Sequence, residues 1–235
     1  PVRPEEVARV LADNPEITHV ALVHCETTTG RMNPAEEVSR VCEQAGACLL
    51  LDAMSSFGGV PLDQAGWGVP FLVSSANKCI QGVPGFGFIV ANRRALEASR
   101  GRARSLALDV VDQWDGMEAG AGKWRYTSPT HVVLAFAQAL KELELEGGVQ
   151  ARNKRYQANY RATVAGLKAL GIEPLLQEAE RGPIITSFHM PQGVSFPQLY
   201  GALKQRGFLI YPGKITEAET FRVGHIGDLD TQDMD

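Results

Sequence analysis

The chain has 235 residues, of which 44% are hydrophobic and 21% are charged, and its formal net charge is −4. This composition is ordinary for a soluble globular protein with room for one large or two modest domains. Because the charge is slightly negative and no basic run occurs, we expect neither a nucleic-acid partner nor a polybasic membrane patch. No apolar stretch approaches the roughly 20 residues of a membrane span, so the expected partner is a small molecule.

Four cysteines, Cys25, Cys42, Cys48 and Cys79, lie in or beside apolar or small-residue segments and form no CxxC pair. We interpret them as buried free thiols in a reducing compartment. No cluster of His or Cys has the spacing of a metal site, and the N-terminal stretch "PVRPEEVARVL" is not typical of a signal peptide. These observations predict a cytoplasmic protein that binds no metal.

The first segments of the chain alternate helices with strands. Apolar residues at helical spacing predict a helix from Pro4 to about Asn14. The run "THVALVHC" predicts a strand, "NPAEEVSRVCEQAG" a helix opened by Asn33 and Pro34, and "ACLLLDA" a second buried strand. A strand, a helix and a strand in succession indicate a parallel sheet.

The middle of the chain predicts two more short strands, "FLVSSANK" and "GFGFIVA", on either side of an irregular glycine-rich segment. The stretch 99–129 shows no clear periodicity and is interpreted as a surface excursion, of the kind that is often functional or covered by a partner.

The last part of the chain begins with two long helical patterns, over about 129–146 and 148–170. The remainder alternates the strand-like runs "PIITSFHM", "FLIY" and "TFRVG" with a helix over 195–206. We therefore predict an α/β fold in two parts: residues 1–147 belong to a large domain with a mainly parallel sheet, and residues 148–235 form a small α/β domain.

Polar side chains follow three of the predicted strands. Thr27 and Thr28 come after "VALVHCE", Asp52 after "CLLL", and Lys78 after "FLVSSAN". In open α/β sheets, ligands bind beyond the carboxyl ends of the strands, so these groups are candidates for one crevice.

Asp52 and Lys78 each allow a structural and a functional interpretation. A carboxylate after four apolar residues must pair with a cation or accept hydrogen bonds, and a helix cap or a loop contact would satisfy it. A lysine in an apolar run either extends to the surface or is desolvated, which frees the amine as a nucleophile.

The combination of these two residues favours the functional interpretation. Their separation is 78 − 52 = 26 residues, which leaves room for a strand, a crossover and a second strand. A strand-end aspartate and a later strand-end lysine are the two anchors of a pyridoxal phosphate enzyme. The lysine forms a Schiff base with the cofactor, and the carboxylate keeps the pyridine nitrogen protonated.

The segments "HCETTTGRMNP", "LLLDAMSSFGG", "SSANKCIQGVPGFGF", "KWRYTSPTH" and "FRVGHIGDL" occur in this order over nearly the whole chain. In these segments the chain resembles the class V, fold type I aminotransferases, and within them the 2-aminoethylphosphonate:pyruvate group. The resemblance implies a homodimeric enzyme with pyridoxal 5′-phosphate as cofactor and with an amino donor and a 2-oxo acid as substrates.

The resemblance also implies roles for individual residues. Lys78 would hold the cofactor and shuttle protons, Asp52 would pair with the pyridine nitrogen, and Arg222 would bind the carboxylate or phosphonate of a substrate. The further cofactor-binding positions are Met54 against the ring face, Thr27 or Thr28 at the ring hydroxyl, Asn77 beside the lysine, and Thr127, which crosses the dimer interface to the phosphate of the neighbouring subunit. Trp124 would line the same channel.

Two elements of the family are missing from the chain, namely the early loop that holds most of the cofactor phosphate and the aromatic residue that stacks on the ring. Together with the absence of an initial methionine, this indicates a start about a third of the way into the family's sequence. We therefore expect weakened cofactor binding and an exposed sheet edge or apolar face.

Alternatives remain for function and for the other polar residues. Another class V aminotransferase, of the alanine:glyoxylate or serine:pyruvate type, would share Lys78, Asp52 and Arg222, and an inactive fragment without cofactor is the rival from a different class. His24 and His131 are interpreted as structural histidines, and the glycines over 82–87 fit no phosphate-binding motif.

Overall fold

The computed structural model describes residues 2–216 and 218–235. Its helices are α1 (Pro4–Asp13), α2 (Ala35–Gln44), α3 (Arg93–Ala98), α4 (Val110–Ala119), α5 (Thr130–Glu146), α6 (Gly148–Ala169), α7 (Phe196–Gln205) and α8 (Thr231–Met234). Its strands are β1 (His19–Val23), β2 (Cys25–Glu26), β3 (Arg31–Met32), β4 (Cys48–Asp52), β5 (Phe71–Ser75), β6 (Gly87–Ala91), β7 (Ile185–His189), β8 (Tyr211–Pro212) and β9 (Thr220–Gly224). The predicted α/β fold is confirmed.

The largest sheet has the strand order β1-β4-β5-β6. Strands β1, β4 and β5 run parallel, with Val23 opposite Asp52 and Asp52 opposite Val73, as the strand–helix–strand pattern predicts. Strand β6 runs antiparallel to β5, because the short connection over 76–86 holds no crossover helix. The carboxyl ends of β1, β4 and β5 therefore meet at one edge of the sheet.

One face of this sheet forms the main apolar core. Leu49, Leu51 and Leu72 are fully buried there, and they pack with residues of α1 and α2. The alternate side chains point to the other face, where Leu50 is 36% and Ile89 is 41% exposed. Sheets of parallel strands are normally covered on both faces, so the expectation of an exposed apolar face is confirmed.

The sheet of the C-terminal part has the order β7-β9-β8 and is antiparallel. Arg222 lies in its central strand, opposite Ser187 on one side and Tyr211 on the other. The rings of Phe188 and Phe221 stack with their centroids 5.6 Å apart. The strand predicted from "FLIY" is shorter than expected. Of the four residues in this run, only Tyr211 pairs with β9.

Helix α6 contacts segments next to the strands of both parts of the chain. Its Tyr156 is fully buried in an apolar cluster with Cys25 of β2 and with Cys79, which follows β5. On the other side, Nδ2 of Asn159 donates to the backbone oxygen of His225 at 3.2 Å. The predicted division between residues 147 and 148 falls at the start of this helix, and it stays a prediction.

The irregular excursion predicted for residues 99–129 is wrong over α4, which is a regular helix. Only Val111 of this helix is buried, although Val110, Trp114 and Met117 lie at helical spacing in the sequence. Asp109 is the N-cap of the helix, and its side chain accepts a hydrogen bond from the backbone N of Asp112 at 3.0 Å. This N-cap was a further signal available in the sequence.

All four cysteines are free, as predicted. Three of them are buried, whereas Cys48 is only partly buried. Burial raises the pKa of the Cys25 thiol to about 12 and raises that of Cys79 still further. Neither is therefore a ready nucleophile.

No helix among the residues that the structure describes is long and apolar enough to cross a membrane.

Candidate active site

Asp52 ends β4 and is partly buried. Its Oδ1 accepts a hydrogen bond from the backbone N of Met54 at 2.8 Å. Within the described residues no cation pairs with this carboxylate. A carboxylate has about four lone-pair sites, so Asp52 keeps acceptor capacity for a ligand N–H.

His24 supports the segment around Asp52. The backbone N of His24 donates to the backbone oxygen of Asp52 at 2.8 Å, and its Nδ1 forms a hydrogen bond with Oγ of Ser56 at 2.9 Å. Burial lowers the pKa of His24 to about 4, so its ring is neutral at neutral pH. These contacts support the structural interpretation of His24, whereas His131 is exposed in the first turn of α5.

Lys78 lies three residues beyond β5 and is exposed, which corresponds to the surface alternative rather than to a desolvated amine. A tight turn fixes its backbone, because the N of Gln81 donates to the backbone oxygen of Lys78 at 2.9 Å. Gln81 has a φ of 68°, which is uncommon for a residue other than glycine. With no hydrogen-bond or ion-pair partner found in 2–216 and 218–235, the Lys78 amine is available to a carbonyl ligand.

A cleft of about 1020 Å³ opens beside Lys78, and a small-molecule site needs a volume of this order. Most of the lining is polar or charged, and it comes from both parts of the chain. The lining residues are Asn77, Lys78, Gln81, Glu142, Glu146, Arg152, Arg155, Tyr211, Ile226, Gly227 and Asp228. Of the predicted site residues, Asn77 and Lys78 therefore line this cleft, while Asp52 and Met54 lie outside the lining.

Arg222 is only 6% exposed. Its Nε donates to the backbone oxygen of Pro212 at 3.0 Å and its NH1 to that of Thr27 at 2.9 Å. Burial lowers the pKa of Arg222, and the charges of Tyr211 and Glu26 oppose this effect. No acidic side chain forms an ion pair with it in the described part of the chain. Such a guanidinium is suited to an anionic ligand.

Tyr211 connects Arg222 with the cleft beside Lys78. The guanidinium carbon of Arg222 lies 5.7 Å from the centroid of the Tyr211 ring, within cation–π range, and Tyr211 also lines the cleft. Sequence reasoning missed Tyr211, since "FLIY" was interpreted only as a strand. Its position directly before Pro212 and Gly213 was the one available hint.

The loop after β2 carries Thr27 and Thr28, which are both partly buried. The backbone oxygen of Thr28 accepts a hydrogen bond from Oγ of Ser187 at 3.0 Å, and its N donates to Oε1 of Glu26 at 2.8 Å. The side-chain hydroxyls of both threonines have no partner within the described residues, so either hydroxyl can serve a ligand.

Thr127 is not brought together with the other predicted site residues. It is exposed in the segment between α4 and α5. The nearby Trp124 ring packs edge-on against Phe86 at 6.0 Å, and Phe86 packs against Phe136 at 5.2 Å. The role of Thr127 towards a neighbouring subunit stays a prediction.

The residues present fit the ring end of pyridoxal phosphate. Asp52 offers an acceptor for the ring nitrogen, the threonine loop offers a hydroxyl, and Lys78 offers a free amine. For the phosphate end, the predicted residues supply only Thr127. No group of three or more His, Cys, Asp or Glu side chains that could hold a metal ion occurs among the described residues.

This α/β architecture, with a mainly parallel sheet and candidate residues at its carboxyl edge, is the fold of the fold type I aminotransferases. Pyridoxamine–pyruvate aminotransferase from Mesorhizobium loti is similar with a TM-score of 0.89 and 25% identity, over 99% of this chain and 61% of that one. Alanine–glyoxylate aminotransferase from Nostoc sp. gives 0.89 and 26%, over 99% and 63%.

Sequence comparison defines the family within this class. The family model described as aminotransferase class-V matches residues 2–223, and the chain belongs to this family. It is 58% identical over 233 residues to a 2-aminoethylphosphonate–pyruvate transaminase of Syntrophobacter fumaroxidans, covering 98% of this chain and 63% of that protein. The corresponding transaminase of Vibrio cholerae is 56% identical, with 98% and 64% covered. The chain thus spans less than two thirds of the length of these relatives.

Proposed function

We propose that the protein acts as a pyridoxal 5′-phosphate-dependent aminotransferase that moves the amino group of 2-aminoethylphosphonate to pyruvate, giving phosphonoacetaldehyde and alanine. The observation that carries this proposal is the buried guanidinium of Arg222, which has no acidic partner within the described residues. Relatives at 56–58% identity carry the name of this reaction, whereas the solved structures at 25–26% identity are named for other substrates.

When bound, the cofactor supplies an aldehyde that takes the amino group and a ring that accepts the electron pair released when the donor carbon loses its proton. Lys78 would hold the cofactor through Nζ, and its amine, when free, would move a proton at the donor carbon. The carboxylate of Asp52 would accept the ring N–H, and Met54 would contact the ring. Thr27 or Thr28 would donate to the ring hydroxyl, and Asn77 would line the cofactor site beside Lys78.

Arg222 is suited to both substrates of this reaction. Its Nε and NH1 are held by the backbone oxygens of Pro212 and Thr27, while NH2 has no partner among the described residues. The remaining donor can bind the phosphonate of the amino donor or the carboxylate of pyruvate through charge-assisted hydrogen bonds. Because its anchors are backbone atoms on both sides, the guanidinium is oriented before the anion arrives.

The proposal includes a homodimer, in which Thr127 contacts the cofactor phosphate of the neighbouring subunit. The support is exposed apolar surface near this residue: Tyr126 is 57%, Leu106 69% and Leu108 77% exposed, and a second copy would bury such side chains. The four free thiols support a cytoplasmic location, where thiols remain reduced.

An absorption spectrum with added pyridoxal phosphate, recorded before and after borohydride, tests the cofactor assignment. We expect visible absorbance and, after reduction and peptide mapping, a label on Lys78. The matched control is Lys78→Arg, which keeps the charge and should carry no label. Equal labelling of several lysines, or of none in a folded chain, contradicts the assignment.

Amino-transfer kinetics test the substrate assignment. A chain that carries the label should form alanine from 2-aminoethylphosphonate and pyruvate faster than it forms glycine from alanine and glyoxylate. The reverse preference would reject the phosphonate substrate in favour of the alanine:glyoxylate alternative.

A further inference from the structure

Glu146, the last residue of α5, contacts two arginines of α6 that reach different parts of the molecule. Gly147 and Gly148 have φ angles of 107° and 77°, so the chain reverses and Glu146 faces the first turns of α6. Its Oε2 accepts from Nε of Arg152 at 2.8 Å, and its Oε1 accepts from Nε of Arg155 at 2.8 Å. All three charged residues line the cleft beside Lys78, yet the proposed chemistry uses none of them.

Arg152 connects this carboxylate with the turn after Lys78. It is only 2% exposed, and its NH1 donates to the backbone oxygens of Cys79 at 2.9 Å and Ile80 at 3.2 Å. These are the two residues that directly follow Lys78. A guanidinium buried so deeply needs its carboxylate, because an uncompensated buried charge is strongly unfavourable.

Arg155 connects the same carboxylate with the segment that follows β9, the strand of Arg222. Its NH1 donates to the backbone oxygens of Gly227 at 2.6 Å and Leu229 at 2.8 Å. The carboxylate of Glu146 therefore lies between the lysine turn and the end of the arginine strand.

Two further observations strengthen this connection. Burial alone would raise the pKa of Glu146, but hydrogen bonds from Arg155 and Arg152 outweigh it and lower the pKa, so the carboxylate stays charged. The hydroxyl of Tyr156 accepts hydrogen bonds from Nε2 of Gln81 at 2.7 Å and from the N of Gly227 at 3.4 Å. The Tyr156 hydroxyl therefore contacts both the turn after Lys78 and the segment that follows β9.

We propose that Glu146 is a positioning residue, which holds the Lys78 turn in place relative to the segment that follows Arg222. It does so by keeping Arg152 and Arg155 on their backbone carbonyls. The inference rests on the proposed function, in which Lys78 is the reacting amine and Arg222 the anion-binding group. Lys78 follows a strand of the large sheet, whereas Arg222 lies in the small sheet. The contacts of Glu146 with Arg152 and Arg155, which we call the tie, therefore set the separation of the two segments.

Amide hydrogen exchange of the whole chain without cofactor tests the tie directly. Glu146→Gln keeps the shape but removes the charge, and it should raise exchange by about tenfold or more in peptides over 79–82 and 225–229. Arg155→Lys should raise exchange over 225–229 and leave 79–82 unchanged. The matched control is Glu142→Gln: Glu142 lines the same cleft, and Gln138 is its one hydrogen-bond donor within the described residues. This control should change neither segment.

Labelling of Lys78 by pyridoxal phosphate and borohydride gives a second readout. Glu146→Gln should lower the maximal labelling rate and leave the half-saturating concentration unchanged, because Asp52 and the threonine loop lie on elements that Glu146 does not touch. A merely structural residue would change both quantities together. The control for this readout is Glu144→Gln, because Glu144 is exposed on α5 and lies outside the cleft lining. It should keep both quantities at their original values.

The outcomes separate the two proposals. Exchange that rises equally over the whole chain, or in neither segment, overturns the positioning role. If Glu146→Gln does not fold, the selective effect of Arg155→Lys supports the role and its absence refutes it. The expected exchange pattern without any label on Lys78 rejects the proposed function and keeps the tie, while a label on Lys78 with unchanged exchange rejects the tie alone.

Discussion

Gly30 closes the threonine loop of the site, and we expect Gly30→Ala to be strongly destabilising. Its φ is 88°, and an added Cβ would lie 2.3 Å from the backbone oxygen of Ile185 in β7. The loop cannot easily withdraw, because the backbone oxygen of Gly30 accepts from the N of Gly182 at 3.0 Å. The contact is thus backbone against backbone, and no side-chain rotation relieves it.

The expected loss has two parts. A left-handed conformation costs a residue with a Cβ about 1–2 kcal/mol, and forcing an extra methyl into packed structure costs about 1–3 kcal/mol. A total of about 2–5 kcal/mol lowers the melting temperature of a chain of this size by about 4–20 °C. Thermal unfolding followed by circular dichroism measures this shift.

The matched control is Gly46→Ala, at a glycine with a φ of 70° and no atom within 4 Å of the added Cβ. This variant carries the backbone cost alone, about 1–2 kcal/mol, so its melting temperature should fall less than that of Gly30→Ala. Equal shifts in the two variants would show that the contact with Ile185 is relieved at no cost, and would refute the reasoning.

Three further outcomes are expected. Arg222→Lys should raise the KM for 2-aminoethylphosphonate about tenfold or more, because it loses charge-assisted hydrogen bonds of about 1.5–3 kcal/mol each, and an unchanged KM in steady-state kinetics would contradict the assignment. Asp52→Asn should leave Lys78 open to labelling but slow amino transfer by about a hundredfold or more, and unchanged amino transfer would exclude Asp52 from catalysis. Burial lowers the pKa of both His24 and His225 to about 4, so between about pH 6.5 and 4 the unfolded chain binds protons that the folded chain does not. Stability should therefore fall on acidification by up to about 1.4 kcal/mol per pH unit for each ring. Urea midpoints at about pH 7 and pH 5 measure this fall, and His225→Gln should reduce the slope of stability against pH. Equal midpoints at the two pH values would contradict the lowered pKa values.

The large sheet could be predicted from sequence because its signals are local. The apolar run before Asp52 and the helical pattern of α2 each lie within one element, and a parallel pair follows from their order. The direction of β6 was not predicted, although the short connection over 76–86 holds no crossover helix and favours an antiparallel pair. Helix α4 was missed although Val110, Trp114 and Met117 lie at helical spacing, because glycines and charged residues interrupt the pattern around them.

The identities of the candidate site residues could be predicted from the sequence, whereas the geometry of the site could not. Asp52 and Lys78 were found because strand ends with polar residues have a known chemical use. The exposure of Lys78 was not resolved by the sequence, since an apolar neighbourhood in sequence does not imply one in space. The contact between Arg152, a partner of Glu146, and the backbone of Cys79 was out of reach as well, because the two residues are 73 apart in sequence and no periodicity encodes such a pair.

Side chains on β7 and β9 of the small sheet donate hydrogen bonds to backbone oxygens of the threonine loop. Arg222 donates to Thr27, 195 residues away, and Ser187 donates to Thr28, 159 residues away. An anion that binds the guanidinium of Arg222 therefore affects the loop whose threonine hydroxyls are available to the cofactor. Through Arg152 and Arg155, Glu146 connects the segment after Arg222 with the turn of Lys78. Because the acceptors on the threonine loop and after Lys78 are main-chain atoms, these contacts depend on the donor side chains of Arg222, Ser187 and Arg152 rather than on the side chains of Thr27 and Cys79.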